Sequence, residues 1–308
     1  MKAARIHAYG TIDEVLIEDV PDPAPGLDDV LIRVEAAALN PLENKLIAGY
    51  LKGFFPLAFP YTLGTDLAGT VVATGRLAAT VKPGDRVIAR TDPRAGGAFA
   101  ELAVVPVRLV VPVPKDVPLV GLAGLPTAAA SAWQALFEAA AIQPGQSVLI
   151  HAGAGGVGSF AVQLARLAGA RVIATASAAN LDLVRSLGAE EAIDYRGQDF
   201  ATVVKAVDLV IDTVGGETLE RSLGIIRPGG QLVSLSARFD TEAVKARGID
   251  AQFLFHQSDA GRLAAVAALV ADGRLQSVTG KKFALANTAE ALRLLSKGGA
   301  RGKVLLKP

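Results

Sequence analysis

The sequence predicts an α/β protein in which a doubly wound parallel sheet is joined to a β-rich section. Three observations carry that reading. A strand, a glycine turn and a helix follow one another between Gly145 and Arg166. From about Pro118 onward, apolar runs of strand length alternate with helical segments, the pattern of parallel strands joined by crossover helices. The first third of the chain is instead a series of short strands separated by proline and glycine breakers.

The glycine turn organises the rest. Ser147 to Ala152 is the apolar run, and Gly153, Gly155 and Gly158 fill a G-x-G-x-x-G pattern, with Gly156 and Val157 inside it. Phe160, Leu164 and Leu167 then mark one face of a helix, and after Gly169 a second strand, Ala170 to Ala176, completes a βαβ unit. One glycine permits the tight turn, one lets the backbone approach a pyrophosphate, and one lets helix and strand pack closely. The helix's positive end favours an anion there by roughly 0.3–1 kcal/mol. An ordinary strand-to-helix turn would also tolerate glycines. The strand before the motif, the helix after it and the second strand favour dinucleotide binding.

Gly145-Gln146, Leu149, Gly153-Ala154-Gly155-Gly156, Gly158, Gln163 and Arg166 fall at the spacing of the quinone oxidoreductase/zeta-crystallin signature. The chain therefore resembles that family of the medium-chain dehydrogenase/reductase superfamily, over nearly its whole length. The resemblance implies a Rossmann sheet joined to a GroES-like catalytic domain, with quinones or α,β-unsaturated carbonyls as substrates.

Composition bounds the remainder. Net charge is +1 over 308 residues, so nothing points to nucleic acid or an anionic membrane surface. With no cysteine, neither a disulfide framework nor a thiolate zinc site is possible. The N-terminal residues contain no apolar signal-like run, and a cytoplasmic protein is expected. Val117 to Phe137 is uncharged and long enough to span a bilayer, but Pro118, Gly121, Gly124 and Pro126 interrupt it. It reads as a buried connection into a core helix.

In chain order, strands are expected at Ala3 to His7, Val15 to Val20, Val30 to Ala37, Leu67 to Thr74 and Gly97 to Val105. A short helix begins at Asn40-Pro41, with Asn40 as cap. The parallel strands fall near Ser147–His151, Arg171–Thr175, Glu191–Asp194, Asp208–Asp212, Gln231–Ser234 and Asp250–Phe255. Helices follow at Asp259 to Asp272 and Thr288 to Lys297, with late strands at Gly280 to Leu285 and Gly302 to Leu306. The resemblance implies that this last stretch returns to the β-rich domain. The expected division is 1–117 with 273–308, and 118–272.

The residue at the end of the second strand selects the cofactor. An acidic side chain there would hold the ribose hydroxyls of NAD, whereas this chain has Thr175-Ala176-Ser177-Ala178-Ala179-Asn180. Without a carboxylate to repel a 2′-phosphate, and with Ser177 and Asn180 able to donate to one, NADPH is favoured. Both side chains could equally cap the next helix. By resemblance, Tyr195-Arg196, Arg301 and Lys303 are candidates near that phosphate, each otherwise a surface group. Thr213 and Ser234, at the ends of later strands, are expected to line the ligand crevice or simply to make turns.

A metal is not expected. His7, His151 and His256 share no ligand spacing, and Gly64-Thr65-Asp66 stands where zinc-dependent relatives carry Gly-His-Glu. His151 is read as structural. Without a Lewis acid, hydride transfer suits an acceptor that is already electrophilic. By resemblance, Asn40 and Lys45 lie beside the nicotinamide ribose and substrate, and Thr127 near the carboxamide. Tyr50, Tyr61 and Phe54-Phe55 are candidates for the pocket wall, with Tyr50 grouped with Asn40 and Lys45 as catalytic. Phe253 and Phe255 resemble the family's edge strand, which pairs across a homodimer and helps close the site. The competing functions are an NADPH-binding protein with little turnover and an enoyl reductase.

Overall fold

Six strands from the middle of the chain form one all-parallel sheet in the computed structural model, which describes residues 1–308. In space they run Glu191–Asp194, Arg171–Ala176, Ser147–Ile150, Val207–Asp212, Ile226–Ser234 and Asp250–Phe253. In order of sequence that is 3-2-1-4-5-6, the doubly wound Rossmann arrangement. Its topological switch point lies where Ser147–Ile150 and Val207–Asp212 are neighbours. The carboxyl ends of those strands open the crevice where such sheets bind ligands.

Register explains why the central runs are so aliphatic. Ile173, Leu149, Val210 and Leu232 sit opposite one another across four strands and are essentially inaccessible to water. A parallel strand is covered on both faces, so it has no polar face to alternate with. Each such side chain stabilises the fold by about 1.5–3 kcal/mol through burial. Helix Gly156–Leu167 packs here with Phe160, Ala161 and Leu164 fully buried.

The other sheet is β-rich and mostly antiparallel. Its strands run Thr279–Ala284, Lys303–Lys307, Asp29–Ala38, Asp66–Thr74, Arg86–Arg90 and Val110–Pro112, with Leu102–Pro106 also paired to Asp29–Ala38. A small sheet of Leu16–Asp19, Lys2–Ile6 and Tyr61–Thr62 completes it. Ile6, Ile32, Leu39, Leu63, Leu67 and Phe99 form its core. Gly64 is obligatory there: its φ is +88°, and a Cβ would lie 2.1 Å from the Phe99 ring.

The chain divides into two compact units, Met1–Thr127 with Ser258–Pro308, and Ala128–Gln257. The β-rich unit is thus discontinuous, but its limits differ from those expected. Leu119–Leu122 belongs to it because that turn of helix packs on Asp29–Ala38 and Asp66–Thr74. Helix Ala260–Ala271 belongs to it because it packs on Val110–Pro112. The strand expected from Gly97 begins only at Leu102, since Phe99 and Ala100 reach the first strand instead. Val117 to Phe137 holds one separate turn of helix, Leu119–Leu122, and then a helical stretch that begins at Leu125, and no helix is long and apolar enough to cross a membrane.

His151 ties the glycine turn to the sheet. Its Nε2 lies 2.9 Å from Ser222 Oγ, whose own proton goes to the Thr218 carbonyl. The imidazole proton therefore sits on Nε2, and Nδ1 accepts from Thr175 Oγ1 at 3.1 Å. Thr175 in turn accepts from the amide of Ala152, a residue held at φ 51°. Burial, only partly offset by Asp212, pulls His151 down to about 4 from its usual 6.5.

Below pH 6.5 the unfolded chain takes up a proton that folded His151 refuses until about 4, so stability falls as pH drops through that window. We expect His151→Gln to remove up to one proton from this acid limb of denaturant-melt stability against pH. An unchanged limb would place the acid sensitivity elsewhere.

Candidate active site

The glycine turn is a cradle that side chains would fill. A Cβ on Gly158 would lie 2.2 Å from the Ala152 carbonyl oxygen, and one on Gly153 would lie 2.9 Å from Ala174 Cβ. Gly155 caps helix Gly156–Leu167 with an extended backbone, and the helical ladder begins only when Ser159 N–H reaches the Gly155 carbonyl. The amides of Gly156, Val157 and Gly158 therefore precede the ladder, at the positive end of a 12-residue helix. That arrangement fits a pyrophosphate.

The next strand ends beside it with neutral donors. Ser177 Oγ accepts from Asn180 Nδ2 at 3.1 Å, which leaves the serine proton to give. The register Ala176 to Asp194, and the Tyr195 amide on the Ala176 carbonyl, bring Tyr195 to the same end of the sheet. The Arg196 guanidinium lies 5.4 Å from the Tyr195 ring centroid. Ser177 and Asn180 are half-buried, and Tyr195 is exposed. That end of the sheet thus carries hydroxyl, amide and guanidinium donors, groups whose chemistry would suit a 2′-phosphate.

Two crevice candidates are turned inward. Ser234 is fully buried and donates to Asp212 Oδ2 at 2.8 Å, so its hydroxyl serves the loop and not a ligand. Thr213 spends its proton on the His151 carbonyl at 2.9 Å. Asp212 itself holds the amides of Val214 and Gly215. Phe253 ends the outermost strand under the Arg238 guanidinium, and Phe255, just beyond, is exposed.

The β-rich unit contains a buried ionic cluster that sequence patterns do not reveal. Asp66 is wholly buried. Its Oδ2 accepts from Asn40 Nδ2 and from the Thr127 amide, each at 3.1 Å, and its Oδ1 accepts from Thr127 Oγ1 at 2.6 Å. Arg90 Nε lies 3.9 Å from one carboxylate oxygen and Lys303 Nζ 3.9 Å from the other. Arg90 also donates to Thr127 Oγ1 and to Ser258 Oγ.

Glu43, one helical turn past Asn40, accepts from the Asn40 amide at 2.6 Å and lies 3.4 Å from Thr65 Oγ1. Burial, and then the Asp66 charge, raise its carboxyl from 4.5 to about 7, against the pull of the Asn40 amide and Lys303. Burial lowers Lys303, opposed by Asp66 and Glu43.

This placement corrects the expectation for Lys303. It is 4% exposed, and its ammonium is spent on the Leu39 carbonyl at 2.7 Å and Asn40 Oδ1 at 2.5 Å. It cannot also serve as the counter-charge of a phosphate. Arg301, two residues earlier, is exposed in the same unit. Tyr61 is likewise no pocket wall, being 3% exposed with its hydroxyl on the Pro93 carbonyl. Lys45 and Tyr50 are exposed, and Asn40 is buried. Glu43, Arg90 and Ser258 were not foreseen. The only sequence signal was Asp66, standing where a Gly-His-Glu pattern would place a carboxylate. No group of three His, Asp or Glu is clustered so as to hold a metal ion.

Comparison with known proteins agrees with this architecture. A family model for the alcohol dehydrogenase GroES-like domain matches residues 26–115, and one for zinc-binding dehydrogenase matches residues 187–306. A chloroplastic quinone oxidoreductase of Triphysaria versicolor is 34% identical over all of this chain and 98% of its own. A chloroplastic NADPH-dependent alkenal/one oxidoreductase of Arabidopsis thaliana is 34% identical over all of this chain and 80% of its own. The solved quinone oxidoreductase from Coxiella burnetii superposes with a TM-score of 0.93 at 33% identity, covering 100% of this chain and 99% of that one.

The fold and its nucleotide cradle are those of a medium-chain dehydrogenase/reductase. Within that superfamily the chain belongs to the quinone oxidoreductase family. The cytoplasmic expectation does not stand, because both of these plant relatives are chloroplastic. Balanced charge and absent cysteine suit any reducing compartment, so composition could not make that distinction.

Between pH 4.5 and about 7, folded Glu43 keeps a proton that the unfolded chain has released, so its contribution to stability falls as pH rises. Across that window the loss is up to about 3 kcal/mol. We expect Glu43→Gln to gain on the parent protein in urea melts between about pH 5 and about pH 8. A gap that does not change with pH would show that Glu43 keeps one protonation state throughout.

Proposed function

We propose that the protein is a zinc-independent reductase that uses NADPH to reduce quinones or α,β-unsaturated carbonyls. The donor cluster of Ser177, Asn180, Tyr195 and Arg196 carries the cofactor half of this reading. Family membership, and the names of the quinone and alkenal/one oxidoreductases, support the acceptor half. NADPH, when bound, supplies the hydride and its two electrons.

The chain's part is to bind, orient and exclude water. The amides of Gly156, Val157 and Gly158 hold the pyrophosphate, and the Ser177 cluster holds the 2′-phosphate. Asn40 and Thr127 present polar groups to the reacting end. Lys45 and Tyr50 are exposed and free to meet an acceptor. After hydride addition the acceptor needs one proton, which water, a ribose hydroxyl or Lys45 can supply.

Zinc independence rests on what the potential ligands are doing. Asn40 and Asp66 are engaged with Lys303 and Thr127, and Thr65 with Glu43. The ammonium of Lys303 and the guanidinium of Arg90, already beside Asp66, repel a further cation. A homodimer is supported by strand Asp250–Phe253, which ends the sheet with an unpaired edge, and by the exposed Phe255 after it.

Oxidation of NADPH should be followed with a para-quinone and with a 2-alkenal, each repeated with NADH and with a chelator. Turnover that favours NADPH and survives the chelator is expected. Tight NADPH binding without turnover of either acceptor would point to a binding protein. In the same assay Ser177→Asp should move preference toward NADH by at least about tenfold, since a carboxylate would face the 2′-phosphate. An unchanged ratio would remove Ser177 from the phosphate site.

A further inference from the structure

Burying Arg90, Lys303 and Asp66 beside the carboxyl of Glu43 needs a reason beyond stability. Apolar residues of similar volume often stabilise a core as well or better than an ion cluster does. The geometry points to a different role: Asp66, Lys303 and Arg90 are positioning residues that fix the hydrogen-bond polarity of Asn40 and Thr127. The inference rests on the proposed function only in taking those two side chains to face the reacting ligand.

The polarity follows from what each partner can do. An ammonium or guanidinium can only donate, and a carboxylate can only accept. Lys303 Nζ donates to Asn40 Oδ1, and Asn40 Nδ2 donates to Asp66. Flipping the amide would set its NH2 against an ammonium and its oxygen against a carboxylate, so a single orientation survives. Of the two amide protons, one is used and one is left.

Thr127 is fixed in the same way. Its proton goes to Asp66 Oδ1, and its oxygen accepts from Arg90 Nε at 2.9 Å, which leaves one lone pair. Arg90 is itself held from the far side by Ser258 Oγ at 2.8 Å. Asn40 can therefore only donate to a ligand, and Thr127 can only accept from one. The two hang from opposite oxygens of one carboxylate. Such a pair selects a ligand with a carbonyl-type acceptor for Asn40 and an N–H or O–H donor for Thr127.

Two measurements test this. In the ligand-free protein, the Asn40 side-chain amide should give two distinct proton resonances by NMR, of which the one donated to Asp66 exchanges slowly. In Lys303→Met the amide should lose that protection while the backbone spectrum of Ala128–Gln257 is retained. In kinetics, folded Lys303→Met should bind NADPH within about threefold of the parent protein yet lose about tenfold or more in kcat, with a smaller change in acceptor KM. Thr127→Val should lose a similar factor and Thr127→Ser should restore most of it.

If Lys303→Met does not fold, the Thr127 pair decides. A Thr127→Val variant with full kcat, or a Lys303→Met variant with an unchanged Asn40 amide, overturns the inference. Should the parent protein turn over neither acceptor class, the functional reading fails and the amide resonances alone judge the positioning network.

Discussion

A carboxylate shut away from water must be satisfied on every side, and Asp66 imposes that demand on the β-rich unit. Three donors from Asn40 and Thr127 point at it, and two cations stand 3.9 Å off. To deliver those groups, the first residue of strand Asp66–Thr74, the cap of helix Pro41–Ile47, the end of strand Arg86–Arg90 and the start of strand Lys303–Lys307 must converge. The sheet register supplies the convergence, since Asp66 lies opposite both Ala38 and Arg90. Removing one partner would strand a buried charge, which explains why so costly a cluster persists once formed.

The Rossmann unit is governed by sterics instead of charge. The Ala152 carbonyl leaves no room for a side chain at Gly158, and the tightness of that turn brings free amides to the mouth of the crevice. His151 contributes by staying neutral: it donates to Ser222 and accepts from Thr175, and Thr175 in turn holds the amide of Ala152. A charged imidazole would have no carboxylate in hydrogen-bond contact there. The same burial that makes it a good spacer makes it sensitive to acid.

The parts legible in the sequence were those written locally. Apolar runs placed all six parallel strands, the central ones to within a residue, because a doubly covered strand favours aliphatic residues; the fifth strand begins five residues earlier than expected, at Ile226, and the sixth ends two residues sooner, at Phe253. The glycine spacing announced the cradle because each glycine answers a local clash. Ser177 and Asn180 are nominated by counting from the turn, and they lie at the end of the second strand and are joined by a hydrogen bond. Lys303 could not: a lysine near the end of a chain looks solvated, and its partner Asn40 lies 263 positions away. Ser234 misled for a related reason, since a polar residue at a strand end serves a ligand or a loop with the same local pattern. The helix Ala260–Ala271 was read correctly as a helix, but its allegiance to Val110–Pro112 is a matter of long-range packing.

The ammonium of Lys303 also gives a physical reason for the acceptor class. A divalent metal would polarise a bound oxygen directly, whereas the buried Lys303 is turned inward onto the Leu39 carbonyl and the Asn40 amide oxygen. An amide N–H is a weaker electrophile than a metal ion, so it suits a carbonyl that is already conjugated and poorly suits the stabilisation of an alkoxide. Charge buried to hold a neutral donor in one orientation is consistent with reduction of quinones and enones.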